Sequence, residues 1–410
     1  AGALDVAGTV DISGTTNLDV VDIDGAVNLG STFTFGNSGY IIGNSTNGIR
    51  INKSDDSVNL FKFLDDGSFQ TVTLGTSNLR LGLNAGNSIA SDGNYNVVVG
   101  DEAGTALTTG DANVAVGYGA LDLEDTGTNS VAIGYNALTT QNNDAANYNV
   151  AVGYSAGAAI TTGIKNVAVG GLALDAADTG QENTAIGHQA LTTDTKGQRN
   201  TAVGHLSLGT QNFTTATNSY NTGIGYNAGA AVTTGVRNTL IGGLSGDAIT
   251  TGVRNTTLGY FSGGSFDVGG YNIAIGDSAL ATDTKGSTAV AVGYGALGTQ
   301  NFATATSNYN VAVGYAAGTA VTTGTQNTLI GGLAGDALTD ADFNVGIGYR
   351  ALSTDTLGSR SVAIGYSALF TQNFTTATDA YNVAIGMEAG NKVTTGDQNT
   401  LIGGLAGDAI

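Results

Sequence analysis

The residues best suited to recognition chemistry lie in one phrase, Thr210-Gln-Asn-Phe-Thr-Thr-Ala-Thr-Asn-Ser-Tyr220. Near-copies run from Thr299 to Tyr309 and from Thr371 to Tyr381, and Thr140-Gln-Asn-Asn143 begins a shorter version. An aromatic ring beside primary amides can stack on the apolar face of a sugar while the amides bond its hydroxyls. The candidate ligand-binding residues are therefore Gln211, Asn212 and Phe213, Gln300, Asn301 and Phe302, and Gln372, Asn373 and Phe374. The competing expectation is that each Phe packs under its own loop or against another subunit, the commoner fate of an aromatic.

His188 and His205 could bind a metal if symmetry gathered several imidazoles at one level. The chain has no Cys, however, and no Glu with ligand spacing accompanies them. A stacked pair standing in for tyrosine is expected instead. The string Gly331-Gly-Leu-Ala-Gly335 lacks the Lys-Ser/Thr of a phosphate loop, and no Ser/His/Asp grouping stands out. The expectation is a chain with no catalytic residues, cofactor or metal, and not an enzyme.

What must position these phrases is a repeat. An apolar-small-apolar-Gly unit occurs eighteen times, closing at glycines from Gly100 to Gly403. Thirteen of the seventeen intervals are 17 residues, one is 19 and three are 21, and the longer ones hold the phrases above. A fixed period of this length marks a solenoid, whose coils cannot fold singly. The predicted fold is all-β: a parallel β-roll or β-solenoid over 79–410, behind an N-terminal β shaft segment at 1–30 and a small β module at 31–78. In the shaft, Leu4, Val6, Val10 and Ile12 alternate with polar residues; in the module, Ile49, Ile51, Phe61 and Phe63 suggest strands and Asp66-Gly67 a turn.

Composition narrows the function classes. The 65 glycines come without proline and without a three-residue period, which excludes collagen, and 41% hydrophobic residues in register argue against disorder. A formal charge of −20, from 13 basic and 33 acidic residues, argues against nucleic-acid or anionic-membrane partners. No apolar run is long enough to span a bilayer as a helix. The chain opens on Ala1 without an initiator Met, so a processed product or a fragment of something longer is expected.

Positions can be counted from each closing glycine. Position −1 is always Val, Ile or Leu and −3 always Val, Ile or Thr, so these two are expected on the core face of a short strand. Position −2, most often Ala, is then expected to face away from the coil's own core. A row kept small and uncharged throughout is expected to pack against sister chains. Position −4 is Asn in fifteen coils: Asn96, Asn113, Asn149, Asn166, Asn183, Asn200, Asn221, Asn238, Asn255, Asn272, Asn310, Asn327, Asn344, Asn382 and Asn399, with Ser130, Ala289 and Ser361 as exceptions. These are expected to form a hydrogen-bonded ladder along the axis. Position +3 is Ala or Ser and +4 is Leu or Gly, giving two coil flavours, and Tyr occupies +1 in nine coils, expected as a corner stack.

The phrases Asn129-Ser-Val-Ala-Ile-Gly134 and Ser361-Val-Ala-Ile-Gly365 resemble the head repeat of trimeric autotransporter adhesins of the YadA type. That resemblance, covering 96–403, implies a left-handed parallel β-roll, three chains about one axis, and attachment to surfaces. The longer coils, the Asn-Thr-Ala-Ile-Gly187 wording and the Tyr-x-Ala-Leu continuations look more like phage tail-fibre proteins, as does the segment beginning Leu4-Asp-Val-Ala-Gly. The expected function is a homotrimeric tail fibre on a virion, contacting a host-surface receptor, a glycan, through loops on a rigid solenoid. Other virion or fibre proteins are expected beyond its termini, with neither nucleic-acid binding nor membrane insertion. The alternative is the head of a bacterial surface adhesin, extracellular in location. An ice-binding solenoid is a third reading, prompted by Thr184, Thr201, Thr222, Thr239 and Thr256 at position −3, and a polysaccharide-degrading spike a fourth.

Overall fold

Short β-branched strands separated by glycine corners leave the chain one way to satisfy its backbone: pairing each coil with the next. A computed structural model describes the strand segments β1 (Thr32–Thr34), β2 (Tyr40–Ser45), β3 (Gly48–Lys53), β4 (Asn59–Phe63) and β5 (Phe69–Thr71), together with residues 74–408. The shaft expected at 1–30 lies outside the described residues. The chain divides into two units, one up to Val72 and one from Thr73. In the first, β1 to β5 form an antiparallel meander in chain order, with a register shift between Ile51 and Asn52. Here β3 carries Ile49 and Ile51, and β4, with Phe61 and Phe63, pairs with β5; the turn expected at Asp66-Gly67 lies outside the described residues.

The second unit is the parallel β-solenoid. Nineteen three-residue strands, from Leu79–Leu81 to Thr400–Ile402, pair in parallel with their neighbours, each one coil apart in sequence. The ladder is in strict register: Val150, Ala151 and Val152 face Val167, Ala168 and Val169. It is open at both ends, since Leu79–Leu81 pairs with Val97–Val99 and Thr400–Ile402 with Val383–Ile385. The first strand adds a coil closing at Gly82, ahead of the eighteen read from the repeat.

Each strand ends on a glycine that no other residue can replace cheaply. At Gly134 φ is +135°, and a Cβ there would lie 2.3 Å from the carbonyl oxygen of Gly153 in the next coil. The backbone turns so tightly against its neighbour that the side chain must be absent.

The facing of the strands is the reverse of the expected one. Position −2 points into the coil: Ala115, Ala132, Ala151 and Ala312 are fully buried within the chain's own core. Positions −1 and −3 are half-buried or exposed, as in Val131-Ala132-Ile133, where Ile133 is 38% exposed. The alanine row is therefore not a seam for sister chains. Its small size has an internal cause, because the coil is too thin for two large side chains at one level. Where position −2 is Leu, as at Leu240 and Leu329, position +4 is Gly, at Gly246 and Gly335. A Cβ on Gly246 would lie 2.8 Å from Leu240 Cδ2, and one on Gly335 2.7 Å from Leu329 Cδ2. Where +4 is Leu, as at Leu121 and Leu138, position −2 is Ala, or Gly at Gly346. Several coils are small at both positions, as at Ala151 and Gly157, but no coil is large at both, which is what one shared packing volume allows. The five threonines from Thr184 to Thr256 consequently lie in the outward row, not toward the core.

Candidate binding surfaces

The asparagine ladder runs through the buried wall just before each strand. Asn96 Oδ1 accepts from the backbone N–H of Asn113 at 2.9 Å, and Asn96 Nδ2 donates to the carbonyl of Gly110 at 2.8 Å. The same pair of bonds recurs at Asn166, where Oδ1 accepts from Asn183 N and Nδ2 donates to Gly180 O. Each side chain thus satisfies a donor and an acceptor that the corner would otherwise orphan. The rungs are side chain to backbone, from one coil to the next. The ladder asparagines are buried from Asn96 through Asn382, and the bonding reaches Asn399.

The inserted phrases are sewn into this wall. Gln211, Gln300 and Gln372 are fully buried, and Phe213, Phe302 and Phe374 are 7%, 5% and 6% exposed. These six side chains cannot meet a ligand on the surface; the packing alternative holds for every Phe. Asn212, Asn301 and Asn373 are exposed, but their Oδ1 atoms accept from Thr195, Thr284 and Thr356 at 2.9–3.1 Å. What remains free is the tip of each loop, Thr214 to Ala216, Ala303 to Ala305 and Thr375 to Ala377. Behind the tips, Thr217–Asn218 pairs in parallel with Gly197–Gln198, and the other two long loops repeat the pairing.

A buried carboxylate fastens each insertion. Asp283 Oδ1 accepts from the backbone N–H groups of Gly286 (2.9 Å) and Phe302 (3.4 Å), and Oδ2 accepts from Gln300 Nε2 (2.6 Å). Gln300 Oε1 then accepts from Asn310 Nδ2 at 2.8 Å, joining the loop to the ladder. Asp194 and Asp355 make the same connections to Gln211 and Gln372. The shorter insertion uses the longer acid: Glu124 bonds Gly127 N, Gln141 Nε2 and Asn147 Nδ2. Burial raises the carboxyl pKa of Asp194 and Asp283, against the lowering effect of their glutamine and backbone hydrogen bonds. These acids escaped the reading of the repeat. The signal was present, since each lies 17 residues before its Gln, one coil below it. The three gaps in the asparagine ladder, at Ser130, Ala289 and Ser361, are each followed by an insertion. Gln141 and Gln372 bond the Ser130 and Ser361 hydroxyls directly.

With Leu123 and Val268 among those elsewhere, most of the exposed large apolar and aromatic side chains lie on the outward face of the sheet and its two borders. The aliphatic rows at −3 and −1 run its length, with Leu258 at 47% exposure and Ile186, Ile224, Ile273, Ile330 and Ile385 also exposed. Position +1 borders it with columns of stacked rings: Tyr118, Tyr135 and Tyr154 at 5.2 and 5.5 Å, then His188, His205 and Tyr226 at 5.5 Å each. The histidines thus continue the tyrosine column. Position −5 forms the other border, with exposed tyrosines and with arginines stacked on rings, Arg254 over Tyr271 at 5.1 Å and Arg360 over Phe343 at 4.7 Å. No family model matches the chain, and comparison with curated proteins and with solved structures finds no match either.

Proposed function

We propose that the chain is part of a homotrimeric attachment fibre, in which three copies bury their outward aliphatic faces on one another and leave the loop tips free. The observation that carries this is the face itself. Eighteen strand spacings make it about 86 Å long, and it presents two unbroken rows of Val, Ile, Leu and Thr to the surface. Soluble proteins rarely leave an apolar strip of that extent uncovered, and covered strips of this kind are subunit interfaces. A net charge of −20 per chain keeps the remaining surface soluble. The resemblance to tail fibres and YadA-type heads supports the same reading. The tips at Thr214, Thr304 and Thr375 are the segments offered to a host-surface glycan, carried on loops whose bases are locked by buried Asp, Gln and Phe.

Sedimentation equilibrium tests the assembly: three copies of the 40.7 kDa chain are expected, and a monomer mass would sink the proposal. A glycan array tests attachment, with binding expected for the native chain and lost when the three tips are replaced by Gly-Ser. The outward threonines from Thr184 to Thr256 keep ice binding as a second reading, because they lie in register on parallel strands. Measurable thermal hysteresis would favour that reading; none is expected of a face that packs on protein.

A further inference from the structure

The two borders of the outward face match each other, one as a column of rings with missing rungs, the other as a row of exposed tyrosines that do not stack on one another, with Tyr220 lying under Arg199 and Tyr271 under Arg254. Position +1 is Gly at Gly404 in the last coil and, with a ring in the coil that follows, in the coils closed by Gly170, Gly242 and Gly331, at Gly171, Gly243 and Gly332. A Cβ on these three would lie 3.4, 3.6 and 3.4 Å from the rings of His188, Tyr260 and Tyr349, one coil later. Each +1 ring therefore leans back over the coil before its own. A missing ring leaves a slot beside that earlier coil, between Tyr154 and His188, Tyr226 and Tyr260, or Tyr315 and Tyr349. Neighbouring rungs are 5.5 Å apart where the column is filled, so each slot is about two rungs wide and fits one aromatic ring at ordinary stacking distance.

The coil level with each slot carries an exposed tyrosine on the opposite border. These are Tyr148, Tyr220 and Tyr309, 56%, 46% and 59% exposed. Rotational symmetry puts identical residues at identical heights, and a closed ring of copies brings the −5 border of one against the +1 border of the next. We propose that Tyr148, Tyr220 and Tyr309 of one copy insert into the slots left by the missing rings of Gly171, Gly243 and Gly332 in its neighbour, and so set the axial register of the assembly. This rests on the homotrimer reading above and says what fixes its alignment. The slot-and-tyrosine pairs are copies of one longer unit, so they count as one observation. A separate one comes from a coil where +1 is acidic: by the same offset Asp277 lies level with Arg254 of the −5 row, placing a carboxylate opposite a guanidinium across the same joint. The borders are also complementary in charge. The −5 row holds Lys165, Arg199, Arg237, Arg254 and Arg360 against a single acid, Glu182, while the +1 row has no Lys or Arg.

A register key matters physically because identical coils could otherwise slip past one another by whole repeats with little loss of aliphatic contact. Slots about four or five coils apart, at unequal intervals, leave a single alignment in which all are filled.

The test fills the slots from within. Gly171→Tyr, Gly243→Tyr and Gly332→Tyr together complete the column in cis at positions where the added Cβ meets backbone no closer than 4.0 Å, the Tyr154 carbonyl beside Gly171, and where other coils already carry Tyr. Circular dichroism and the melting of the single chain should be unchanged or raised, while the trimer dissociation constant rises at least about tenfold, or 1.4 kcal/mol. A folded variant that assembles as tightly as the native chain overturns the inference. A native chain that is itself monomeric overturns the homotrimer reading instead. A second measurement uses the absence of cysteine from the sequence. Tyr148→Cys with Gly171→Cys, treated with a short bismaleimide, should give a covalent trimer, because within one chain the two sites stand roughly 20 Å apart across the strand. Monomer alone on a denaturing gel from a trimeric sample refutes it.

Discussion

Changing Asp283 to Asn alters one proton-accepting oxygen in a closed hydrogen-bond circuit and little else. The carboxylate accepts from Gly286 N, Phe302 N and Gln300 Nε2, and Gln300 Oε1 accepts from Asn310 Nδ2, which also donates to Gly324 O at 2.7 Å. An asparagine can keep the two backbone bonds through Oδ1, but its Nδ2 then faces Gln300 Nε2, donor against donor. Flipping the glutamine moves the conflict to Asn310 without removing it. One buried donor is orphaned either way, at about 1–3 kcal/mol, which is about 5- to 150-fold in a local opening equilibrium. Hydrogen exchange of the 299–309 segment at pH 7 should quicken in Asp283→Asn by up to that factor, since the amide also removes the desolvation cost of a buried charge, with distant coils unaffected. The native chain should also show a pH signature. Burial raises the Asp283 pKa above its ordinary 3.8, so the folded loop holds its proton at pH values where the unfolded chain has lost it. Loop stability is therefore greatest below the ordinary value and falls as pH rises through the raised one. Exchange rates corrected for intrinsic chemistry should show more protection at pH 4 than at pH 7 in the native chain and no such trend in the variant. Protection that grows with pH in the native chain would refute the argument, because the ionised form would then be the one the fold prefers.

Two further pairs of substitutions probe the scaffold. Gly134→Ala forces φ of +135° on a residue with a Cβ and drives that carbon to 2.3 Å from a backbone oxygen. Strain and overpacking together should cost about 2–6 kcal/mol, whereas Gly171→Ala, with its Cβ at ordinary contact from the His188 ring, should move the melting temperature little. Leu240→Ala removes a fully buried side chain that fills the space left by Gly229 and Gly246, and should cost about 2–5 kcal/mol in a urea titration of the monomeric chain. Val203→Ala, on the outward row, should cost clearly less under the same conditions; the reverse order would mean that the two faces have been misassigned.

The register of the solenoid was legible in the sequence because one glycine per coil must occupy a backbone conformation closed to other residues. Position −4 was legible for a similar reason, since Asn is the short side chain that accepts from one backbone group and donates to another in the next coil. Which face of the strand looks inward was not legible from alternation alone. Alternation separates Ala132 from Val131 and Ile133 but is symmetric between inside and outside, and the habit of placing the larger residues inside gives the wrong answer in so thin a coil. The deciding signal is a joint limit on size, since positions −2 and +4 are never large together: Leu240 with Gly246, Leu329 with Gly335, Ala115 with Leu121. Side chains that must share a volume trade bulk, and side chains facing outward have no such partner. The same logic applies to the loops. Gln211 and Phe213 look like ligand-binding residues when the phrase is taken alone, but Asp194, one coil earlier, is the group they answer. A repeat with a 17-residue period places that acid directly beneath them, so the unit of reading in such a chain is the column of residues one period apart, and a phrase acquires its chemistry from the coils on either side of it.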